Sequence, residues 1–241
     1  MKKLLPILIL FGLFSHTKTF SQCAGQAIYQ LDVNEATALL RSTGNYWFDG
    51  FNPGYLAPNN DTPPLAATIY AGGLWMGGLD PAGNLKLSAV TFGAGSDSPY
   101  QRGPLNINDG QPFADGCANW DRFFMVTAQE VQQHLDDLAD NGQIDGPVPP
   151  RILGWPGRGN PWFEDIHGFS LPNTPQNLAP FWDVGGDGIY DPQAGDYPLI
   201  KGDEYVWWVY NDLDQSGSGL GMEVQAAAYA FNSSDEALRF T

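Results

Sequence analysis

The segment FWDVGGDGIYDPQAGDYP (181–198) carries the residue types and spacing best suited to chemistry. Its acids fall at Asp183, Asp187, Asp191 and Asp196, with glycines at 185, 186, 188 and 195. Calcium takes six to eight hard oxygen ligands, drawn from carboxylates and from the carbonyls of a tightly turned loop. Aspartates spaced about four residues apart, with intervening glycines free to reach positive φ, meet that demand. Without a cation, two such carboxylates ~5 Å apart repel by about 3 kcal/mol at an effective dielectric near 20. The four aspartates are therefore the expected metal ligands and calcium the expected cofactor. The pattern departs from a helix-loop-helix hand, with Gly185 at the third position and Ala194 at the twelfth.

A second segment, DLDQSGSGLGME (212–223), offers Asp212, Asp214, Ser216, Gly217 and Glu223 at hand-type positions. Its neighbours EYVWWVYN (204–211) and MEVQAAAYAF (222–231) read as strands, so a glycine-rich hairpin connection is the expected structure.

Catalytic constellations are sparse. Beyond residue 21 the histidines are His134, expected on the surface of a helix, and His167, which follows Glu164 and Asp165 in PWFEDIHGFS (161–170). A zinc site needs a third ligand, and neither HExxH nor paired-cysteine spacing occurs. There is no G-x-S-x-G elbow, phosphate loop or dinucleotide fingerprint. No catalytic residue is assigned. A distant carboxylate pair acting on polysaccharide is the alternative to a non-enzymatic role. Trp155, Trp162 and Trp182 lie in loop-like stretches, as sugar platforms or as anchors of the loops themselves.

The elements that must position these residues are mainly strands. ATIYAGGLWMGG (67–78), LKLSAVTF (85–92), DRFFMV (121–126), EYVWWVYN (204–211) and GMEVQAAAYAFN (221–232) are the candidates, with 67–78 and 85–92 forming a hairpin through Pro81 and Gly83. Two helices are expected. Asn34 would cap a short one through Ala36, Thr37, Ala38, Leu39 and Leu40. Thr127 and Glu130 form a capping box for 127–140, where Val131, Leu135 and Leu138 share a face and Asn141-Gly142 ends the run. The stretches 49–64, 95–119 and 141–203 read as long loops, which need prolines, tryptophans or ions to rigidify them. The expected fold is mainly β, a sandwich-like or irregular antiparallel sheet with one or two short helices and long ordered loops.

The chain begins as an export signal. Lys2 and Lys3 precede an apolar run, and Thr19-Phe20-Ser21 sets small residues for cleavage before Gln22. Residues 1–21 read as a signal peptide, and 22–241 as a single mainly-β domain. The final residues 236–241 carry no stop signal, which reads as the N-terminal part of a longer protein. Loss of 1–21 removes three lysines and no acid, taking the net charge from −16 to −19. Such acidity opposes nucleic acid and anionic membrane surfaces. No run after the signal is long enough to span a bilayer. Cys23 and Cys117 then remain, a pair suited to one disulfide in an oxidising compartment. A glycan or another surface protein is the expected partner, and no pattern in the chain sets an oligomeric state.

Several blocks, IYAGGLWMGGLDPAGNLKLSAVTFG (69–93), CANWDRFFMVTAQEV (117–131), WPGRGN (155–160), LAPFWDVGGDGIYDPQAGDYP (178–198) and DEYVWWVYND (203–212), taken in order, resemble a group of large secreted Bacteroidetes proteins. The resemblance implies export by the type IX secretion system, a location outside the cell or on its surface, and calcium binding. It implies no activity, since the group has none assigned. The aspartate loop of that group usually reads D-x-D-G-D-G, and Gly185 departs from it.

Overall fold

The computed structural model describes residues 26–57, 67–90, 99–213 and 219–232. The protein is β-rich, with several antiparallel sheets and short helices. In chain order the first strands are β1 (Ile28–Leu31), β2 (Thr37–Arg41), β3 (Asn45–Tyr46), β4 (Tyr55–Leu56), β5 (Ala67–Ile69) and β6 (Gly72–Gly73). They form one sheet in which β1 runs along one side of β2, while β4 and β3 pair with it in succession. The strands β7 (Trp75–Leu79) and β8 (Leu85–Ala89) make a hairpin whose turn is closed by the Asp80 carboxylate, which accepts from the amides of Ala82 and Asn84.

Next come β9 (Gln101–Arg102), α1 (Gly116–Trp120), β10 (Phe124–Thr127), α2 (Ala128–Asn141), α3 (Pro150–Leu153), α4 (Phe163–His167), β11 (Phe181–Trp182), β12 (Tyr197–Pro198), β13 (Glu204–Asn211) and β14 (Glu223–Ala230). The central element is β13. Along one edge it pairs with β10 and β9, and along the other it pairs with β14 over all eight residues. Its run EYVWWVYN is almost continuously apolar because both faces are covered. Tyr205, Trp207 and Val209 enter a core with Trp120, Phe124 and Trp155, beneath the helices and the long loop region. Val206, Trp208 and Tyr210 enter a second core with Leu31, Leu40 and Tyr100, against the first sheet. One strand thus joins two hydrophobic layers, each following the period-two alternation of its side chains.

Helix α2 forms as its sequence predicts. The Thr127 side chain accepts from the Glu130 amide, the Glu130 carboxylate accepts from the Thr127 amide, and Gly142 ends the helix at φ 83°. The helix expected over Ala36–Leu40 is instead strand β2. Asn34 accepts from the Ala36 amide in a local turn, and pairing of Ala38–Arg41 with β1 overrides the weak helical preference of this stretch. The expected strand 67–78 is three short strands, interrupted at Tyr70-Ala71 and at Leu74. Trp47, at φ 60°, is the non-glycine residue with left-handed backbone among the described residues. Its ring lies against Gly72, where a Cβ would come within 2.8 Å of it.

The Asp121 carboxylate is the main polar anchor between segments. It accepts from the Ala27 amide, the Ser42 hydroxyl and the Arg102 guanidinium, tying β1, β2 and β9 to the end of α1. Cys117, within α1, is disulfide-bonded. The chain's other cysteine, Cys23, lies outside the described residues. Among the described residues no helix is long and apolar enough to cross a membrane.

Candidate calcium loop

The four aspartates lie on one loop whose mouth is the short ladder between β11 and β12, Phe181 opposite Pro198 and Trp182 opposite Tyr197. Within it each carboxylate turns toward the loop's own backbone. Asp183 accepts from the amides of Gly186 and Gly188, at 2.5 and 2.6 Å. Asp187 accepts from Ile189 at 2.8 Å. Asp191 caps a single 3-10 turn through the Gln193 amide and also accepts from the indole Nε1 of Trp162 at 3.2 Å. Asp196 takes the Val184 amide on one oxygen and the Asp191 amide on the other, each at 2.8 Å. Gly186 and Gly188 hold φ of 71° and 76°, which aims these amides inward and which other residues adopt only with strain.

Depth separates the four. Asp196 is buried, Asp183 and Asp191 are half-buried, and Asp187 is exposed. Burial pushes the Asp196 carboxyl above the ordinary range, its two amide bonds pull it back, and the charges of Asp183 and Asp187 add to the rise. The loop therefore concentrates negative charge around one buried acid.

The loop is fixed to the body at two further points. Tyr190 is fully buried; its amide donates to the Arg158 carbonyl and its hydroxyl to the Ile152 carbonyl. Its ring packs so closely on Gly157 that a Cβ there would lie 2.6 Å away. From α2, His134 reaches the Asp196 carbonyl at 3.0 Å. His134 is buried rather than on the surface, because the face formed by Val131, His134, Leu135 and Leu138 turns inward. The inward placement of Tyr190 and Gly157 had one trace in the sequence, the glycine-rich WPGRGN stretch facing an aromatic in GDGIYDP.

The donor chemistry suits calcium, since all four side chains offer hard oxygens and each carboxylate can accept about four hydrogen bonds. The arrangement does not focus them: among the described residues no three His, Cys, Asp or Glu side chains are placed to hold one ion. Six backbone amides of the loop donate to these oxygens.

The second loop behaves likewise. Asp212 is fully buried and accepts from the amides of Leu220 and Met222, closing the connection from β13 to β14. Glu223 turns away to accept from the Leu105 amide. Asp214, Ser216 and Gly217 lie outside the described residues.

The Glu164, Asp165 and His167 group does not form a carboxylate-histidine site. His167 bonds the Gly154 carbonyl at 2.8 Å, and Glu164 accepts from the Ser170 hydroxyl. Burial lowers the His167 pKa, as it does that of His134. Trp155 is a core residue, 1% exposed, with its indole donating to Pro180. Trp162 and Trp182 are the exposed members of the trio, and Trp182 stacks on Tyr197 at 6.5 Å. No protein-family model, curated protein or solved structure matches the chain.

Proposed function

We propose that the chain is a non-catalytic structural module of an exported, secreted or cell-surface bacterial protein of the type IX kind, and that its aspartate loop rigidifies the long 141–203 region. One observation carries this reading: the four aspartates together accept from six backbone amides of their own loop. Carboxylates committed to backbone closure are unsuited to proton transfer with a substrate. The acid with the raised pKa, Asp196, has both oxygens in such bonds. No observation favours a polysaccharide hydrolase over this reading.

Calcium is the second reading, and the concentration of Asp183 and Asp187 charge around Asp196 favours it. A cation there relieves repulsion and reinforces a loop that its amides already close. At ten times its Kd it adds about 1.4 kcal/mol by mass action. An adhesive role, toward a glycan or another surface protein, draws on the outer face of the β7–β8 hairpin, where Trp75, Leu79, Leu85 and Leu87 are all exposed.

Thermal unfolding of residues 22–241 in excess calcium and in chelator, beside Asp187→Ala, tests the calcium reading. A rise in midpoint that the substitution removes supports it, and equal midpoints in calcium and chelator reject it. Incubation with a polysaccharide panel tests the non-catalytic reading, which any reproducible cleavage rejects.

A further inference from the structure

Strand β14 borders a slot. A cleft of about 480 Å³ opens between it and the first sheet, a volume in the range of ligand sites. Leu31, Ala38, Trp47 and Tyr55 of the first sheet line it opposite Ala226 and Ala228 of β14, and among the described residues no charged side chain does so. Ala227 and Tyr229 line it as well. Their side chains stand on the other face of β14 from those of Ala226 and Ala228, so the cleft reaches them along the outer edge of the strand. Trp47 is held at the slot with left-handed backbone, φ 60°, and edge-on to Tyr55 at 5.7 Å. Strain of this kind in a bulky residue concentrates at ligand clamps.

The outer edge offers main-chain pairing. Even-numbered residues of β14 bond inward to β13, as the Met222 carbonyl does in accepting from the Asp212 amide, so the amides and carbonyls of Ala227 and Tyr229 point outward. Among the described residues no strand pairs with them. Between Gln225 and Tyr229 the edge carries no charge, proline or bulge that would ward a strand off. At the far end Asn34 donates to the Phe231 carbonyl, and the Asn232 amide donates to the exposed carboxylate of Asp203. Exposed Asp32 lies two residues from Asn34. The slot is thus apolar along its length and acidic at that end, while Lys201 stands over the Tyr229 ring on the opposite face of β14.

We propose that the slot takes an extended segment of another protein as an added strand, antiparallel to β14, with large apolar side chains at alternate positions and a basic residue at its N-terminal end. The outward amides and carbonyls pair with its backbone, the alanine-lined cleft takes every second side chain, and Asp32 and Asp203 attract the basic residue. A small apolar molecule would leave the edge groups unbonded, and a second copy of a chain at −16 would bring acid against acid. The slot shares no residue with the aspartate loop or the β7–β8 hairpin, so it stands or falls apart from both.

Titration of residues 22–241 with the acetylated, amidated peptide Lys-Thr-Leu-Thr-Phe-Thr-Leu-Thr tests the proposal, read by calorimetry and by hydrogen exchange at single amides. Trp207 in β13 is the reference for a folded sheet. The peptide should bind with a Kd of about 0.1 mM or tighter. The Ala227 and Tyr229 amides should exchange freely without it and become protected with it. N-methylation of its second and third threonines, which oppose Tyr229 and Ala227, should weaken binding about tenfold or more while keeping every side chain. Glutamate in place of its lysine should weaken binding about threefold or more. Ala227→Pro removes an outward N–H that β13 does not use, and should abolish binding with Trp207 still protected. Should that variant fail to fold, Ala228→Leu, which fills the cleft, serves in its place. No binding at about 1 mM peptide overturns the proposal. So does equal binding of either altered peptide, and so does protection of Ala227 and Tyr229 in the chain alone. Protection that appears only as protein concentration rises would assign the edge to a second copy and overturns it too.

Discussion

Nε2 of His134 donates to the carbonyl oxygen of Asp196 across 3.0 Å, joining helix α2 to the residue whose side chain closes the aspartate loop. A carbonyl only accepts, so Nε2 carries a proton. Burial lowers its pKa below 6.5, against smaller opposing effects from that carbonyl and from the Asp137 and Asp196 carboxylates. The unfolded chain therefore binds a proton more readily than the folded one, and stability falls as pH drops below about 6.5 toward the lowered folded value.

Replacing His134 by glutamine keeps a donor for the carbonyl and removes the titration. Near pH 8 the variant should be less stable by about 1 kcal/mol, through poorer packing and a weaker bond. Near pH 5 the difference should shrink or reverse, since only the parent carries the protonation penalty at this site. His167 shifts in the same direction and remains in both proteins, so the comparison isolates His134. Denaturant unfolding at the two pH values reads the outcome, and a difference that grows toward pH 5 would contradict it.

Gly157 meets the base of the Tyr190 side chain, with a Cβ position 2.6 Å from both Cβ and Cγ of Tyr190. Since Tyr190 is held at both its amide and its hydroxyl, it has no room to retreat. Gly157→Ala should therefore cost about 1–3 kcal/mol by overpacking. A midpoint equal to that of the parent in urea unfolding would show that the ring is free to move.

The capping box of α2 offers an independent check on the helix that carries His134. Thr127→Ala removes the acceptor for the Glu130 amide and should cost about 1 kcal/mol. Circular dichroism during urea unfolding measures it, and a cost below a few tenths would mean that β10 alone fixes the start of the helix.

Much of this scaffold was readable wherever a residue period was long and uninterrupted. Strand β13 matches the eight residues expected for it, and α2 begins and ends within a residue or so of its capping signals. Mainly-β architecture followed from the same alternation. Short elements were not readable, because two-residue strands such as β11 and β12 have no period of their own and exist through their pairing. The stretch Ala36–Leu40 misled for a related reason: its alanines and leucines suit a helix locally, yet Leu40 is needed in the core with Trp208. The aspartate loop was recognisable as a unit, whereas the direction of its carboxylates was not. Asp-Gly spacing serves a metal ligand set and a backbone-closing turn alike, and the bonds from the Gly186 and Gly188 amides to Asp183 show the turn.

The most direct measurement is thermal unfolding of Asp196→Ala in the presence of chelator. Asp196 is 2% exposed, and its removal leaves the Val184 and Asp191 amides without their acceptor. With both part-buried amides left without a partner, the account predicts a clear fall in midpoint without any calcium present. Exposed Asp187, replaced by alanine under the same conditions, should move the midpoint far less. A parent and an Asp196→Ala variant that melt together in chelator, and diverge only when calcium is added, would contradict the claim that the aspartates close the loop through its own backbone.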